Sequence, residues 1–396
     1  MSAARPSIHV LPGHARRLRH GHPWAYSNEL RMDDDARALA PGSLVRLVDA
    51  GGEALGCATF NPHSLIAARL IARDADQAID GAFLGARLEA AAGLRGRLYD
   101  APYWRLVHAE GDGLPGLVIE RFGDVLVCQP NTAGAERLMP DIVSALEALF
   151  SPRAVVLRAD SPMRALEGLE RTVRTAAGAL EGPVEVVEGG LRLLADPLAG
   201  QKTGWYFDQR ESRAFMARLA GGGRVLDVYG YSGAFALHAA AAGAAEVVAV
   251  DRSEAALALG ERAAELNGLA PRSRFVRAEA FAEMARLAVA GERFDVVVAD
   301  PPSFVKSRRE LKPGLRGYRK MTRLAAQLVA PGGVLFVASC AHNVAAEAFA
   351  EAVGRGLVDS GRSGRVLRAA GAAPDHPQHP ALPETAYLKS LTLQLD

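Results

Sequence analysis

Cysteine is scarce in this chain, and the scarcity excludes two kinds of structure. The 396 residues include three cysteines, and no Cys-x-x-Cys pair occurs. Three cysteines cannot build a disulfide framework, and structural zinc sites commonly draw on cysteine pairs at that spacing. The sequence therefore predicts neither disulfides nor a bound metal, and it favours a reducing compartment, the cytoplasm.

Long apolar runs and an excess of one charge are also lacking. No segment approaches the roughly 18 uninterrupted apolar residues of a membrane span, and the N-terminus lacks the apolar core of a signal peptide. Lys and Arg total 46 against 45 Asp and Glu, a formal net charge of +1. The composition predicts no membrane association, and any polyanionic partner has to be inferred from local clusters.

Turn signals and apolar patterns divide the chain into three predicted domains. Closely spaced β-type runs, broken by Gly-Gly and Asn-Pro turns, predict a small β-barrel over residues 1–75. A helical pattern at Ala82–Leu98 falls in a predicted central α+β domain, residues 76–195. From residue 196 to residue 396, strands alternate with helices, which is the rhythm of an α/β, Rossmann-like domain with a mostly parallel sheet.

The segment Val225–Phe235 has the form of a nucleotide-cofactor turn. An apolar run stops at Asp227 and turns through Gly230 and Gly233 into an Ala-rich stretch. The third glycine of the dinucleotide fingerprint is missing, and so is the Walker Lys-Ser/Thr pair, so a cofactor without phosphates is favoured. S-adenosylmethionine (SAM) fits, because its ammonium can meet Asp227 and its ribose hydroxyls can meet Asp251 at the end of another apolar run. A dinucleotide is the alternative.

Two further runs end in groups that suit methyl transfer to carbon. Asp300 begins an Asp-Pro-Pro sequence after one run, and Cys340 ends another. A thiolate that adds to C6 of a pyrimidine makes C5 nucleophilic enough to take a methyl group from a sulfonium. Asp300 would hydrogen-bond N3 and the exocyclic amine of cytosine, whereas the base that removes the C5 proton is not identified. Cys57 and Cys128 lie in apolar runs and are interpreted as buried small hydrophobes.

Two basic clusters point to RNA. Eight basic residues lie between Lys306 and Arg323 against one acid, Glu310, where they would grip phosphates at the mouth of the site. A solvated helix face is the structural alternative. Aromatic residues that could stack on unpaired bases, among them Trp24, are interleaved with the second cluster, Arg5, Arg16, Arg17 and Arg19. A core role for Trp24 is equally compatible with the sequence.

These motifs together resemble the bacterial class I, SAM-dependent 23S rRNA cytosine-C5 methyltransferases. The likeness rests on Asp227-x-Tyr-Gly-Tyr-Ser-Gly233, Asp251, Asp300-Pro-Pro-Ser-Phe304, Arg316-Gly-Tyr318, Ser339-Cys340 and the upstream segment Gly200–Arg210. Gly21-His-Pro-Trp24 and the segment Gly56–Ser64 resemble the N-terminal PUA domain of that family, an RNA-binding pseudo-barrel. Glu110–Gly116 resembles its central domain. The resemblance covers nearly the whole chain.

The resemblance implies a role for individual residues. It makes Cys340 the nucleophile and Asp300 its base-contacting partner. It assigns the cofactor contacts to Asp227, Gly230 and Gly233 (methionine part), Asp251 (ribose), Glu279 (adenine edge), and Gln201, Lys202, Thr203 and Asp208 (closure of the pocket). It also implies 23S rRNA as the substrate and suggests a homodimer. Relatives often read Ser-Cys-Ser-His-His around the nucleophile, and here Ala341 and Asn343 depart from that pattern.

Other functions remain open at this point. A related fold that methylates a guanine nitrogen needs no thiol, so Cys340→Ala should spare its activity. An RNA-binding assembly factor without catalysis is disfavoured by the intact set of Asp227, Asp251 and Asp300, and a small-molecule methyltransferase is disfavoured by the basic clusters. The sequence carries no code for the modified nucleotide, because RNA recognition depends on folded shape and on which base can be unstacked.

Overall fold

The computed structural model describes residues 5–396, so Met1–Ala4 of the predicted N-terminal domain lie outside the described residues. The chain forms two compact units. The first unit contains the residues up to Val184 together with Asp196–Trp205 and Pro374–Thr385, and the second unit contains Glu185–Ala195, Tyr206–Ala373 and Ala386–Asp396. Unit membership alternates along the chain instead of changing at one boundary. Within residues 5–396, no helix combines the length and apolar character needed to cross a membrane.

A mixed five-stranded sheet forms the N-terminal part of the first unit. Its elements are β1 (Ser7–His9), α1 (Ala15–Arg19), β2 (Trp24–Ala25), α2 (Asp34–Ala38), β3 (Ser43–Val48), β4 (Ala54–Phe60) and β5 (Ala68–Ala72). The strand order is β1-β3-β4-β5-β2, with β1 parallel to β3 and the other pairs antiparallel. Val45 and Leu47 of β3 are fully buried between less buried neighbours, which is the period of two expected for a strand with one face on the core.

The central part of the first unit is a second five-stranded sheet with two long helices. Its elements are α3 (Gly81–Leu98), β6 (Tyr103–His108), β7 (Leu117–Phe122), β8 (Val125–Pro130), α4 (Ala133–Phe150), β9 (Ala154–Ala159) and β10 (Thr172–Gly178), in the sheet order β10-β9-β8-β7-β6. Asp80 and Thr132 cap the two helices by accepting hydrogen bonds from N–H groups of the first turn. The helix predicted at Ala82–Leu98 is thus found almost at its predicted bounds.

A buried arginine stabilises the first unit. Arg95 of α3 is fully buried, and its guanidinium pairs with both carboxylate oxygens of Asp112 at 2.5 and 2.8 Å. It also donates to the backbone oxygens of Asp375 and Arg105. Asp375 in turn accepts from the Arg105 N–H at 3.0 Å. The segment Pro374–Thr385, which follows a strand of the second unit, is therefore anchored in the first unit by buried polar contacts.

The second unit contains a two-stranded sheet and a seven-stranded sheet. Its strands are β11 (Val184–Glu188), β12 (Leu191–Ala195), β13 (Arg224–Val228), β14 (Glu246–Asp251), β15 (Ser273–Arg277), β16 (Phe294–Ala299), β17 (Val329–Ser339), β18 (Gly364–Ala370) and β19 (Lys389–Leu395). Its helices are α5 (Arg210–Ala217), α6 (Ala234–Ala241), α7 (Glu254–Leu266), α8 (Ala280–Val289), α9 (Leu311–Leu328) and α10 (Ala346–Asp359).

The seven-stranded sheet has a doubly wound, Rossmann-like topology. Its order is β15-β14-β13-β16-β17-β19-β18. Strands β13 to β17 run parallel, and β19 is antiparallel to both of its neighbours, β17 and β18. The central strands are buried on both faces, which explains the continuous apolar runs Val247–Val250 and Val296–Ala299. The strand order reverses between β13 and β16. Open α/β sheets bind ligands at the carboxyl ends of strands beside such a reversal.

The sequence Pro331-Gly332-Gly333, which is typical of a turn, lies inside β17. Pairing with β16 jumps from Phe294–Val329 to Val296–Val334, so Ala330–Gly333 stand opposite a single residue. These four residues bulge out of the ladder, so the turn-forming sequence makes an irregularity within one long strand and does not end it.

Candidate active site

Four of the predicted catalytic and cofactor residues lie at the carboxyl edge of the parallel strands in the second unit. Asp227 lies near the end of β13, and Asp251 is the last residue of β14. Asp300 follows β16 directly, and Cys340 follows β17 directly. Because β14, β13, β16 and β17 are consecutive in the sheet, the four residues occupy neighbouring strand ends. The sequence pattern predicted this row.

Asp227 is a buried carboxylate with spare hydrogen-bonding capacity. Its Oδ2 accepts from the Ala236 N–H of α6 at 3.2 Å, whereas Oδ1 has no partner among the described residues. Burial, with smaller contributions from Asp300 and Asp251, raises the pKa of Asp227 to about 7. A cation placed against Oδ1 would favour the ionised carboxylate. Asp227 therefore fits the ammonium group of a bound SAM.

The turn after β13 is built from residues in the left-handed region. Tyr229, Tyr231 and Gly233 have φ values of +63°, +52° and +70°. A Cβ on Gly230 would lie 3.0 Å from the Asp227 carboxylate, so that glycine keeps space beside the carboxylate. At Gly233, a Cβ would lie 2.7 Å from the ring of a neighbouring phenylalanine. Gly233 is thus required by its left-handed backbone conformation and by packing. At Gly230, the absence of a side chain leaves space for a ligand beside the Asp227 carboxylate.

Asp251 is fixed in place by two backbone donors. Its Oδ2 accepts from the Tyr231 N–H at 3.0 Å, and its Oδ1 accepts from the Ser253 N–H at 2.8 Å. Each carboxylate oxygen keeps a second lone pair for a hydroxyl donor. The first of these bonds ties β14 to the turn that carries Gly230, so the predicted ribose site and the predicted methionine site are held in one network.

Glu279 lies at the start of α8 and is exposed. Its Oε2 caps the helix by accepting from the Ala282 N–H at 2.8 Å, and the N–H of the preceding Ala278 donates to the Asp251 backbone oxygen. Three aromatic rings accompany it: Phe304 lies 6.5 Å from Tyr229 and 6.1 Å from Phe281, centroid to centroid. The sequence motifs did not predict this aromatic group, although two of its members, Tyr229 and Phe304, belong to those motifs.

Asp300 is oriented by Gln209, which the sequence reasoning missed. The Gln209 Nε2 donates to the Asp300 Oδ2 at 2.9 Å, and its buried Oε1 has no partner among the described residues. The reverse amide orientation would set an oxygen against a carboxylate, so this contact fixes the direction of the amide. Tyr206 is a second missed residue, since Asp300 and Cys340 are among the charges that raise its pKa, after the larger effect of burial. Both residues stand in or beside the quoted Gly200–Arg210 segment.

Cys340 is the accessible thiol of the three. It is half-buried, whereas Cys57 and Cys128 are buried, and burial raises the pKa of both of these thiols, that of Cys128 to about 12. The preceding Ser339 is held by a 2.8 Å hydrogen bond from its Oγ to the phenolic oxygen of Tyr318 on α9. The structure thus separates one partly accessible strand-end thiol from two buried ones.

The four residues predicted to close the cofactor pocket do not share one compact unit. Asp208 belongs to the second unit, where it is buried and accepts a 2.5 Å hydrogen bond from the Tyr387 hydroxyl. Gln201, Lys202 and Thr203 belong to the first unit. Of these three, Thr203 is buried and Lys202 has a φ of +51°. Their contact with a cofactor stays a prediction.

The basic segment after Asp-Pro-Pro forms a loop and most of α9. Most of its basic side chains are exposed, and the Lys320 Nζ lies 4.9 Å from the centre of the Phe281 ring. Arg319 forms an ion pair with Asp359 of α10 at 2.5 Å, so this residue has a packing role. The segment is therefore partly a structural helix face and partly an exposed basic surface beside the aromatic group near Glu279.

The N-terminal basic cluster is largely paired. Arg17 covers the Tyr26 ring at 4.8 Å and pairs with Glu29 at 2.8 Å. Trp24 donates from its indole nitrogen to Glu110 at 2.8 Å, and the Arg69 guanidinium lies 5.1 Å from its ring centre. These contacts favour a structural role for Trp24 over stacking on unpaired bases. An open depression of about 430 Å³ beside α1 is lined by Gly13, His14, Arg16, Arg17, His20 and Glu29.

Comparison with known proteins identifies the family. The family model of the S-adenosylmethionine-dependent methyltransferases matches residues 170–392, and that of a PUA-like domain matches residues 8–73. Ribosomal RNA large subunit methyltransferase I of Klebsiella pneumoniae strain 342 is 37% identical over 396 residues, covering 98% of each chain. The enzyme of the same name from Cronobacter sakazakii is 38% identical, covering 96% of this chain and 97% of its own.

Solved structures show the same fold over the whole chain. A Streptococcus mutans protein described as a SAM-dependent methyltransferase superposes with a TM-score of 0.82 at 19% identity, covering 98% of this chain and 100% of its own. A methyltransferase complexed with SAH gives a TM-score of 0.84 at 18% identity with the same coverage. The predicted architecture, a Rossmann-like methyltransferase domain behind a PUA-like domain and a central α+β region, is confirmed. The chain belongs to the SAM-dependent methyltransferase family, in the group that includes ribosomal RNA large subunit methyltransferase I.

Proposed function

We propose that this protein transfers a methyl group from SAM to C5 of a cytosine in 23S rRNA, through a covalent bond between Cys340 and C6 of the base. The observation that carries the proposal is the placement of an accessible thiol and an oriented carboxylate, Asp300, on adjacent strand ends beside a cofactor turn. Similarity over 98% of the chain to enzymes named for large-subunit rRNA supports the substrate class.

The proposed cofactor contacts lie on the β13 and β14 side of the site. Asp227 would hold the ammonium group with its unpartnered Oδ1, and Asp251 would accept from the ribose hydroxyls. Glu279 and the neighbouring aromatic rings would border the adenine. When bound, SAM supplies a methyl group on a sulfonium, which is an electrophile. Gln201, Lys202, Thr203 and Asp208 would complete the pocket.

The proposed chemistry on the base lies on the β16 and β17 side. The Cys340 thiolate adds to C6 and forms a carbon–sulfur bond, which makes C5 an enamine-like nucleophile. Asp300, held by Gln209, would accept from the exocyclic amine with one oxygen, and with a proton on the other oxygen it would donate to N3 and so offset the negative charge that develops on the ring. After C5 has taken the methyl group, its proton leaves to a base, the carbon–sulfur bond breaks and the thiolate is released.

RNA binding is proposed for the first unit and for the exposed part of α9. The PUA-like match covers residues 8–73, within the proposed domain 1–75, and the sheet of β6 to β10 lies within the proposed central domain 76–195. Residues 196–396 form the proposed methyltransferase domain. Phosphate contacts by basic side chains would position the RNA, and the target base would be unstacked into the site. The proposed setting is the cytoplasm, and a homodimer stays a prediction.

The test combines label transfer with a nucleophile variant. Wild-type protein and Cys340→Ala are incubated with tritiated SAM and a 23S rRNA transcript that lacks native modifications, and the RNA is digested to nucleosides. We expect label in 5-methylcytosine from the wild type alone. The control is Cys57→Ala, which removes a buried thiol outside the site and should keep the activity. Label in a guanosine derivative, or equal label from Cys340→Ala, would favour the nitrogen-methylating alternative.

The covalent step has its own readout. A transcript that carries 5-fluorocytosine has no C5 proton to lose, so the carbon–sulfur bond cannot be eliminated after methyl transfer. We expect a protein–RNA adduct that survives denaturing electrophoresis, depends on SAM and is absent from Cys340→Ala. An adduct that persists in that variant would show that Cys340 is not the attacking group.

A further inference from the structure

Lys389 binds the backbone that follows the proposed nucleophile. It is the first residue of β19, and its backbone is paired with that of Ser339, the residue before Cys340. Its half-buried ammonium donates to the backbone oxygen of Ala341 at 2.6 Å and to that of Val344 at 2.7 Å. One side chain therefore fixes both ends of the short turn that leaves the strand end.

The same ammonium acts on the Cys340 thiol through its charge. Burial lowers the pKa of Lys389 from its ordinary value, and the charge of a Cys340 thiolate raises it. A coulombic interaction is mutual, so a lysine that is favoured as a cation by a thiolate favours that thiolate in return. The lysine ammonium is the kind of neighbour that makes a cysteine reactive.

We infer that Lys389 is a positioning residue that sets the backbone around Cys340 and promotes ionisation of its thiol. The inference rests on the proposed function in giving Cys340 its role as nucleophile. Two observations carry it independently of that role: the two hydrogen bonds to the turn and the facing positions of Lys389 and Ser339 in the strand ladder.

Other titratable groups surround the thiol. Tyr318 on α9 and Tyr206 ahead of α5 interact with the charge of Cys340, but burial raises the pKa of both phenols and keeps them neutral near pH 7. Asp300, on the neighbouring strand end, acts on the same two tyrosines with the same sign as the Cys340 thiolate, so a second negative charge lies in the surroundings of the thiol. The charge on Lys389 therefore offsets a carboxylate that would otherwise disfavour the thiolate.

The turn itself carries one more titratable ring. His342 packs against Tyr387 with tilted rings and a centroid separation of 5.3 Å, and the Tyr387 hydroxyl donates to Asp208. The lysine variants leave this ring in place, so a difference between their profiles and that of the wild type reports on Lys389.

The experiment measures thiol reactivity in the full chain without RNA or cofactor. The rate of alkylation by iodoacetamide is followed from pH 6 to pH 10, and the modified cysteine is identified by peptide mass spectrometry. Because Cys57 and Cys128 are buried, the reaction reports on Cys340. We expect Lys389→Met to raise the apparent thiol pKa by roughly one unit, which makes alkylation at pH 7 roughly tenfold slower.

Three further variants separate charge from position. Lys389→Gln keeps a donor for the carbonyls and loses the charge, so it should show the raised thiol pKa. Lys389→Arg keeps the charge and should stay near the wild-type profile. Lys312→Met, an exposed lysine at the start of α9, is the matched control and should leave the profile unchanged. Identical profiles for wild type, Lys389→Met and Lys389→Gln would overturn the inference.

Failure of this inference and failure of the proposed function give different results. Alkylation depends on no substrate, so a raised thiol pKa in Lys389→Met supports the inference even if the wild type places label in a nucleoside other than 5-methylcytosine. The converse result is 5-methylcytosine formation by the wild type together with Lys389 variants that keep the wild-type thiol pKa. That result would support the proposed function and contradict the inference about Lys389. Circular dichroism on each variant shows whether it is folded, and Lys389→Gln retains the test if Lys389→Met does not fold.

Discussion

The buried carboxylate of Asp227 should destabilise the protein in the absence of cofactor. Its pKa of about 7 in the folded state compares with roughly 3.9 for an aspartate in an unfolded chain. A carboxyl group whose pKa is raised by folding contributes stability below its unfolded pKa, and that contribution is lost as pH rises through the folded pKa. The free energy of unfolding should therefore fall between about pH 4 and pH 7 on account of this group.

The magnitude follows from those two pKa values. Relative to a neutral isostere, the carboxylate costs roughly 1 to 2 kcal/mol at pH 5 and about 4 kcal/mol at pH 8. The free energy of unfolding of Asp227→Asn, measured relative to that of the wild type, should therefore rise by roughly 2 to 3 kcal/mol between pH 5 and pH 8. The same variant removes a charge-assisted contact to a bound cation, so its SAM dissociation constant should rise about 10- to 100-fold at pH 8.

Urea unfolding without cofactor, at pH 5 and pH 8, measures the first effect, and calorimetric titration with SAM measures the second. Wild-type affinity should itself drop roughly tenfold from pH 8 to pH 6, as the carboxylate becomes protonated. Glu261→Gln, an exposed carboxylate on α7, serves as the control. A stability difference that stays constant from pH 5 to pH 8, or equal SAM affinity in Asp227→Asn and wild type, would refute the reasoning.

Three other substitutions test separate parts of the structure. Gly233→Ala should cost about 1 to 3 kcal/mol in urea unfolding, because its backbone is left-handed and its Cβ would contact an aromatic ring; wild-type stability would contradict this. Arg95→Met should cost about 3 to 5 kcal/mol because it leaves a buried carboxylate unpaired, whereas Arg355→Met, in an exposed pair, should cost less than about 1 kcal/mol. Gln209→Met should slow methyl transfer roughly tenfold through Asp300 and leave the SAM affinity unchanged; a weaker affinity with an unchanged rate would instead place the amide at the cofactor.

The parallel sheet was predictable because its signals are local. Strands buried on both faces require continuous apolar runs, and the runs that end at Asp227, Asp251 and Asp300 have no competing helical period. The segment Pro374–Thr385 gave no such signal. Its polar residue Asp375 is buried with partners that include Arg95 and the Arg105 backbone, which are far away in the chain.

Site residues divide in the same way. Strand-end carboxylates and Cys340 could be placed together from sequence, since parallel strands bring their carboxyl ends to one edge. Gln209 reaches Asp300 across 91 residues, and Lys389 reaches Ala341 across 48 residues. Neither contact has a periodicity or a spacing that a single sequence reveals. Such supporting contacts depend on the tertiary structure, whereas the strand-end groups depend on the topology alone.

The distribution of charge along this edge explains how one site can serve two opposite requirements. Asp227 and Asp251 make the β13 and β14 side acidic, which favours a cationic methyl donor, and the mutual effect of the carboxylates is part of why the Asp227 pKa is raised. On the β17 side, Lys389 provides positive charge beside a thiol that must be anionic to react. Asp300 lies at the end of the strand between these two sides, where the proposed function places its contact with the base. A site of uniform charge would favour the donor at the expense of the thiolate, or the reverse. Under the proposed function, separation of the two along consecutive strand ends places each charge beside the group that it would stabilise.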